Sequence, residues 1–141
     1  ADNIRFTELK ELISSSDIIS IHAAQTKETY HMLGRDMLKE IRDSSVLINT
    51  ARGSIIDEFA LIDELKTGRF KAVLDVFEKE PLPSGSVLRS LKNVILIPHM
   101  AGPTIDMRRY MTLSVIDRMV QYFNGVLPEG IVTKEKYRIM T

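Results

Sequence analysis

Four short apolar runs constrain this chain more than any other feature: Ile18-Ile19-Ser20-Ile21, Val46-Leu47-Ile48, Ala72-Val73-Leu74 with Val76-Phe77, and Val94-Ile95-Leu96-Ile97. Runs this short, with little polar alternation, read as strands buried on both faces. That pattern suits a parallel sheet covered by helices better than a half-exposed antiparallel one. Helical spacing fills the gaps. Thr7 can cap a short helix carrying Leu9, Leu12 and Ile13, and a second covers Asp36 to Arg42 with Leu38 and Ile41 inward. A third starts at Asp57 as N-cap, buries Leu61, Ile62 and Leu65, and stops at Gly68. The longest runs from near Thr104 to just before Gly125, with Leu113, Ile116, Val120 and Phe123 as its apolar stripe. Alternating elements with short, right-handed connections define an α/β fold with a mostly parallel sheet covered by helices.

Composition narrows the function classes. The 141 residues are 44% hydrophobic and 27% charged, the profile of one soluble globular domain with a real core. With 19 basic and 19 acidic side chains the formal net charge is zero, which gives no electrostatic reason to expect nucleic acid or an anionic membrane as partner. No apolar run approaches the roughly 18–20 residues of a membrane span, and Ala-Asp-Asn-Ile-Arg at the start has no signal-peptide core. The absence of cysteine removes thiol catalysis, disulfides and cysteinyl metal sites, and fits a reducing cytoplasmic setting. Three histidines argue against a His-rich metal site, so no metal is expected.

In open parallel sheets, ligands bind beyond the carboxyl ends of the strands. Each run here leads into polar residues: the first into His22, the second into Asn49-Thr50-Ala51-Arg52-Gly53, the third through Asp75 into Glu78-Lys79-Glu80, the fourth through Pro98 into His99. Parallel strands deliver Arg52, Glu80 and His99 to one sheet edge. Each also has a plainer reading. Arg52 can be a surface ion-pair partner, Glu80 a solvated charge in a proline-bounded loop, and His99 or His22 a satisfied loop or strand-end histidine. Asp75 sits between Leu74 and Val76, where a buried carboxylate is costly without a partner; it either caps a backbone turn or faces a ligand.

Taken together, the trio suits acid–base chemistry on a carboxylate substrate. A histidine can take or donate a hydroxyl proton, a neighbouring carboxylate raises its basicity and fixes its orientation, and an arginine can grip a substrate carboxylate in bidentate fashion. Interconversion of a 2-hydroxy acid and a 2-keto acid fits, with hydride passing to a nicotinamide. Other acid–base reactions fit equally on these residues alone.

Several ordered motifs resemble the D-isomer-specific 2-hydroxyacid dehydrogenases over nearly the whole chain. They are Ser16-Asp17-Ile18-Ile19-Ser20-Ile21-His22 with Thr26-Lys27-Glu28-Thr29, and Ile48-Asn49-Thr50-Ala51-Arg52-Gly53 with Ile56-Asp57-Glu58. Leu74-Asp75-Val76-Phe77-Glu78-Lys79-Glu80-Pro81, Asn93-Val94 and Pro98-His99-Met100-Ala101-Gly102 follow in order. The resemblance implies a partial Rossmann-like, doubly wound domain and an NAD cofactor, with NADP not excluded. It implies that Arg52 binds the substrate carboxylate, that His99 is the catalytic acid/base and that Glu80, rather than the competing Glu78, is its partner. Asp75 then meets the nicotinamide carboxamide, and Thr50, Ala51, Arg52 and the backbone of His99, Met100, Ala101 and Gly102 form the nicotinamide-side wall. One departure is that the family commonly has His-x-Pro after its first strand here, where this chain reads His22-Ala23-Ala24.

The family's Gly-x-Gly-x-x-Gly turn, which seats the pyrophosphate on a helix N-terminus, does not occur in these residues. By analogy, residues 1–141 are the C-terminal portion of the cofactor domain, opening near a strand at Ile4-Arg5-Phe6, with the glycine-motif half and the substrate domain outside it. Alone, such a chain is expected to be almost inactive. Its Ile18–Ile21 strand would be an unpaired apolar edge, which favours self-association, and a homodimer is expected. A non-catalytic, dinucleotide-sensing or protein-interaction half-domain is the alternative; the retained Arg, Glu and His speak against it.

Overall fold

The computed structural model describes residues 4–137. They divide into two compact units, residues 4–100 and 101–137. The first holds α1 (Leu9–Ser15), β1 (Ile18–Ile21), α2 (Arg35–Lys39), β2 (Val46–Asn49), α3 (Glu58–Lys66), β3 (Lys71–Leu74) and β4 (Val94–Leu96). Its four strands are all parallel and lie in the order β1-β2-β3-β4. Register pairs Ile18 with Val46, Val46 with Lys71 and Ala72 with Val94, so the four strand ends reach a common edge. The ladder continues one residue past β4, where the Ile97 amide donates to the Leu74 carbonyl at 2.9 Å.

The core forms on one face of this sheet. Ile19, Ile21, Leu47, Ala72 and Leu74 alternate along the strands and join Ile13 of α1, Leu38 of α2 and Leu61 and Leu65 of α3 in one buried cluster. Helix α3 starts where the sequence places it, because the Asp57 carboxylate accepts the Ala60 amide at 3.0 Å and satisfies an orphan donor of the first turn. It ends at Gly68, whose φ of 76° is the left-handed conformation that glycine adopts freely.

Several expectations need correction. The strands are not buried on both faces: β1 and β3 alternate, and Ile18 and Ile95 are 67% and 61% exposed. Apolar composition alone does not reveal that only one face is covered by described residues of this unit. Helix α1 is entered through Glu8 rather than Thr7, whose hydroxyl bonds the Glu11 side chain instead of a backbone amide. Helix α2 spans only Arg35–Lys39, and Ile41 is buried beyond its end. Val76 and Phe77 are buried but follow β3 rather than extend it, and Ile4-Arg5-Phe6 forms no strand.

The second unit holds α4 (Ile105–Phe123) and a short α5 (Lys134–Tyr137). The α4 limits agree with the sequence, but its stripe is not buried: Leu113, Ile116, Val120 and Phe123 are all exposed. The chain turns back after Gly125, with the Val126 amide donating to Gln121 at 2.9 Å. Among the described residues no helix is long and apolar enough to cross a membrane.

Candidate active site

The turn after β2 is built by Asn49. This residue is 1% exposed; its Nδ2 donates to the Arg52 carbonyl at 2.9 Å and its Oδ1 accepts the Ala51 amide at 3.1 Å. An Asn closing its own turn is a local, sequence-encoded device, and here it fixes the backbone that carries Arg52. The Arg52 Nη1 donates to the Ala51 carbonyl at 2.7 Å, and no carboxylate among the described residues lies within ion-pair distance of the guanidinium. Gly53 follows for a steric reason. A Cβ there would overlap the Phe77 carbonyl and the Glu78 nitrogen, so only glycine lets this turn approach the loop after β3.

That second loop carries Glu80, and the segment after β4 carries His99. His99 Nδ1 and Glu80 Oε2 are 2.6 Å apart, and the other Glu80 oxygen accepts the Phe77 amide at 3.0 Å. The carboxylate is thus held by its own loop while it holds the imidazole. His99 has φ 51°, in the left-handed region that costs an L-residue about 1–2 kcal/mol. Such strain persists only where neighbours over-determine it. Here the His99 amide donates to the Asp75 carbonyl at 2.9 Å and the next amide, of Met100, donates to Asp75 Oδ1 at 2.7 Å. Asp75 is 1% exposed, and its buried carboxylate shapes the loop that presents His99.

Electrostatics tie Arg52 to the pair. Burial works to raise the Glu80 carboxyl, but the hydrogen bonds from His99 and the Phe77 amide, with the charges of His99 and Arg52, outweigh it and leave it below the ordinary carboxylate value. Glu58 moves the other way: burial pushes it up, the Glu78 amide pulls it down, and the Glu78 charge pushes it up again. A carboxyl whose folded value exceeds its unfolded one stabilises the fold at low pH, and that contribution is lost as pH rises through the folded value. Glu58→Gln is therefore expected to raise the thermal midpoint at pH 7, with the gain vanishing below about pH 4. A lower midpoint at pH 7 would mean that the charged form is the favoured one.

Geometry separates the two candidate carboxylates. Glu80 bonds His99, whereas Glu78 pairs with His31, a residue that composition and strand-end logic do not single out. His22 lies apart from this group, with its Nε2 2.8 Å from the Ser20 hydroxyl, as a strand-end histidine does. Thr50 and Ala51 sit half-buried in the Arg52 turn. Met100 is exposed at the end of the first unit, and Ala101 and Gly102 open the second, also exposed. Beside the pair is a cavity of about 440 Å³ lined by Phe77, Leu82, Leu96 and Pro98 together with Glu80 and His99. No group of three or more His, Asp or Glu able to hold a metal ion occurs among the described residues.

An all-parallel sheet with an arginine and a histidine–carboxylate pair at its carboxyl edge defines an α/β domain of the nucleotide-binding class, which works at that edge. The chain belongs to the D-isomer specific 2-hydroxyacid dehydrogenases, whose NAD-binding domain it matches over residues 1–101. It is 41% identical over 138 residues to a glyoxylate reductase of Thermofilum pendens, covering 97% of this chain and 41% of that protein. It is 40% identical over 134 residues to a glyoxylate/hydroxypyruvate reductase B of Serratia proteamaculans, covering 94% of this chain and 41% of that one. A protein from Thermus thermophilus superimposes with a TM-score of 0.84 at 32% identity, over 93% of this chain and 42% of that one. A D-isomer specific 2-hydroxyacid dehydrogenase from Xanthobacter autotrophicus, solved with NADPH and MES, gives 0.80 at 32% identity, over 91% and 52%. The chain thus spans about two-fifths of the length of the curated relatives it matches.

Proposed function

We propose that this chain supplies the acid–base and carboxylate-binding part of an NAD(P)-dependent oxidoreductase that interconverts a D-2-hydroxy acid and a 2-keto acid. The carrying observation is the 2.6 Å bond between His99 Nδ1 and Glu80, next to an arginine with no carboxylate partner of its own among the described residues. Glu80 occupies one imidazole nitrogen and leaves Nε2 for the substrate. Arg52 offers a planar fork that matches a carboxylate and draws the adjacent carbonyl into a fixed position. In the reducing direction His99 gives the Nε2 proton to the C2 oxygen as that oxygen becomes a hydroxyl; in the oxidising direction it takes the proton back.

The donor set at this edge fits a nicotinamide. Its carboxamide needs an acceptor for N–H, and Asp75, whose Oδ1 already accepts the Met100 amide, brings a carboxylate to this edge. Thr50, Ala51, Arg52, Asp75, His99 and Met100 would hold the nicotinamide side. When bound, the cofactor supplies the hydride that the reduction consumes.

On this reading residues 1–141 are the C-terminal portion of a dinucleotide-binding domain in a cytoplasmic homodimer. For residues 1–141 by themselves, the apolar strand β1 at one edge of the described sheet supports self-association. Glyoxylate and hydroxypyruvate are the first substrates to try, since the relatives' names point to them. The complete protein carrying this chain is expected to consume NADH or NADPH with one of them. Nucleotide binding without turnover of any 2-keto acid would favour the sensing role instead.

A further inference from the structure

The segments that follow β1, β2 and β3 are cross-tied at a second histidine–carboxylate pair. His31 Nε2 bonds Glu78 Oε1, joining residues 47 positions apart. His31, like His99, is held at a positive φ, here 50°. Its amide donates to the Ser54 carbonyl at 2.9 Å, the Leu33 amide donates to Ile55 at 3.0 Å, and the Asp57 amide donates back to Leu33 at 3.2 Å. Residues 31–33 are thereby laced along the segment that follows Arg52. The imidazole stacks on Tyr30 with ring centroids 4.0 Å apart, which fixes its direction.

On its other side, the Arg52 turn is pressed through Gly53 against the Phe77–Glu78 peptide. Glu58 Oε2 accepts the Glu78 amide at 3.2 Å and holds that peptide from the start of α3. The Arg52 turn is thus gripped between a strip from the β1 side and a loop from the β3 side, and the His31–Glu78 pair closes the grip across it. Two residues beyond Glu78, the same loop carries Glu80. Glu78 thus joins the Arg52 turn to the loop that carries the Glu80–His99 pair.

We infer that His31 and Glu78 are positioning residues whose pairing sets the distance between Arg52 and His99, and so the fit of a 2-keto acid that must reach both at once. The inference rests on the roles proposed above for Arg52 and His99. An ordinary surface ion pair would contribute little, and side-chain exposures of 32% and 26% alone would not set this one apart. The strained backbone and the clamped Gly53 contact do.

The test uses the complete protein with Glu78→Ala, His31→Asn and the double variant; Asn tolerates a positive φ but is too short to reach Glu78. The readouts are KM and kcat for glyoxylate, and the Kd values of NADH and of oxalate, a dicarboxylate stand-in for the substrate, measured by calorimetry on the NADH-loaded protein. Each single variant is expected to raise glyoxylate KM and oxalate Kd by roughly five- to tenfold, as sub-ångström misplacement does. The double variant adds little to either single one, NADH Kd stays within about twofold, and Glu78→Gln, which keeps an acceptor, recovers most of the loss. Oxalate Kd and KM unchanged in both single variants, while Arg52→Gln abolishes oxalate binding, would overturn the inference and leave the proposed function standing. Intact oxalate affinity in Arg52→Gln would overturn the proposed function and the positioning role with it.

Discussion

Replacing His99 with Asn is expected to lower kcat for keto acid reduction by about 100- to 10,000-fold, the usual contribution of a positioned general acid. Each tenfold step corresponds to about 1.4 kcal/mol of barrier, so the loss amounts to about 3–5 kcal/mol. Asn is the informative replacement because it accepts a positive φ and can still bond Glu80, while it has no titratable proton to give. The loop tied to Asp75 through the amides of residues 99 and 100 therefore stays in place. Binding of oxalate in the presence of NADH is expected to stay within about threefold of the parent, because the proposed function gives the grip on the carboxylate to Arg52 and not to His99. A fall in kcat alone identifies a group used in the transition state and not in ground-state binding.

Arg52→Gln produces the complementary defect. Two charge-assisted hydrogen bonds to a carboxylate are worth about 1.5–3 kcal/mol each, so kcat/KM is expected to fall by on the order of 1,000-fold. KM carries much of that loss, and oxalate affinity falls in parallel. Arg52→Lys restores the charge but not the fork, and recovers only part of it. The Arg52 backbone is fixed by Asn49, whose bonds are to main-chain atoms, so neither variant disturbs the turn itself. A secondary effect is expected at Glu80: without the arginine's charge one of the influences holding its carboxyl low is gone. Stability from a carboxyl held low is lost as pH falls through its folded value, so Arg52→Gln begins to lose that contribution at a slightly higher pH than the parent.

How much of this was legible in the sequence depended on distance along the chain. The four apolar runs became four strands, and Asp57 and Gly68 bounded α3, because caps and short runs are local signals. The delivery of Arg52, Glu80 and His99 to one edge followed from parallel strand order alone. Burial was less legible. Ile18, Ile95 and the α4 stripe of Leu113, Ile116, Val120 and Phe123 are as apolar as core residues yet exposed, since hydropathy reports a side chain's preference and not its neighbours. The choice between Glu78 and Glu80 is illegible from composition, since the two lie in one loop; the family resemblance favours Glu80, and in the structure Glu80 bonds His99 while a distant His31 holds Glu78. Gly53 read as part of a motif, but its reason, a close approach of the loop after β3, is a long-range fact. Asn49 was the missed residue with a local signal, an Asn at a strand end directly before a turn.

The most direct test of the account is a single-turnover experiment on the complete protein loaded with NADH and mixed with glyoxylate, run for the parent, His99→Asn and Arg52→Gln. The parent is expected to oxidise its bound NADH. His99→Asn should bind the keto acid but transfer hydride at least about 100-fold more slowly, and Arg52→Gln should regain speed only as glyoxylate concentration rises. Transfer in His99→Asn at the parental rate, or a parent that keeps its NADH in the presence of every 2-keto acid offered, would contradict it.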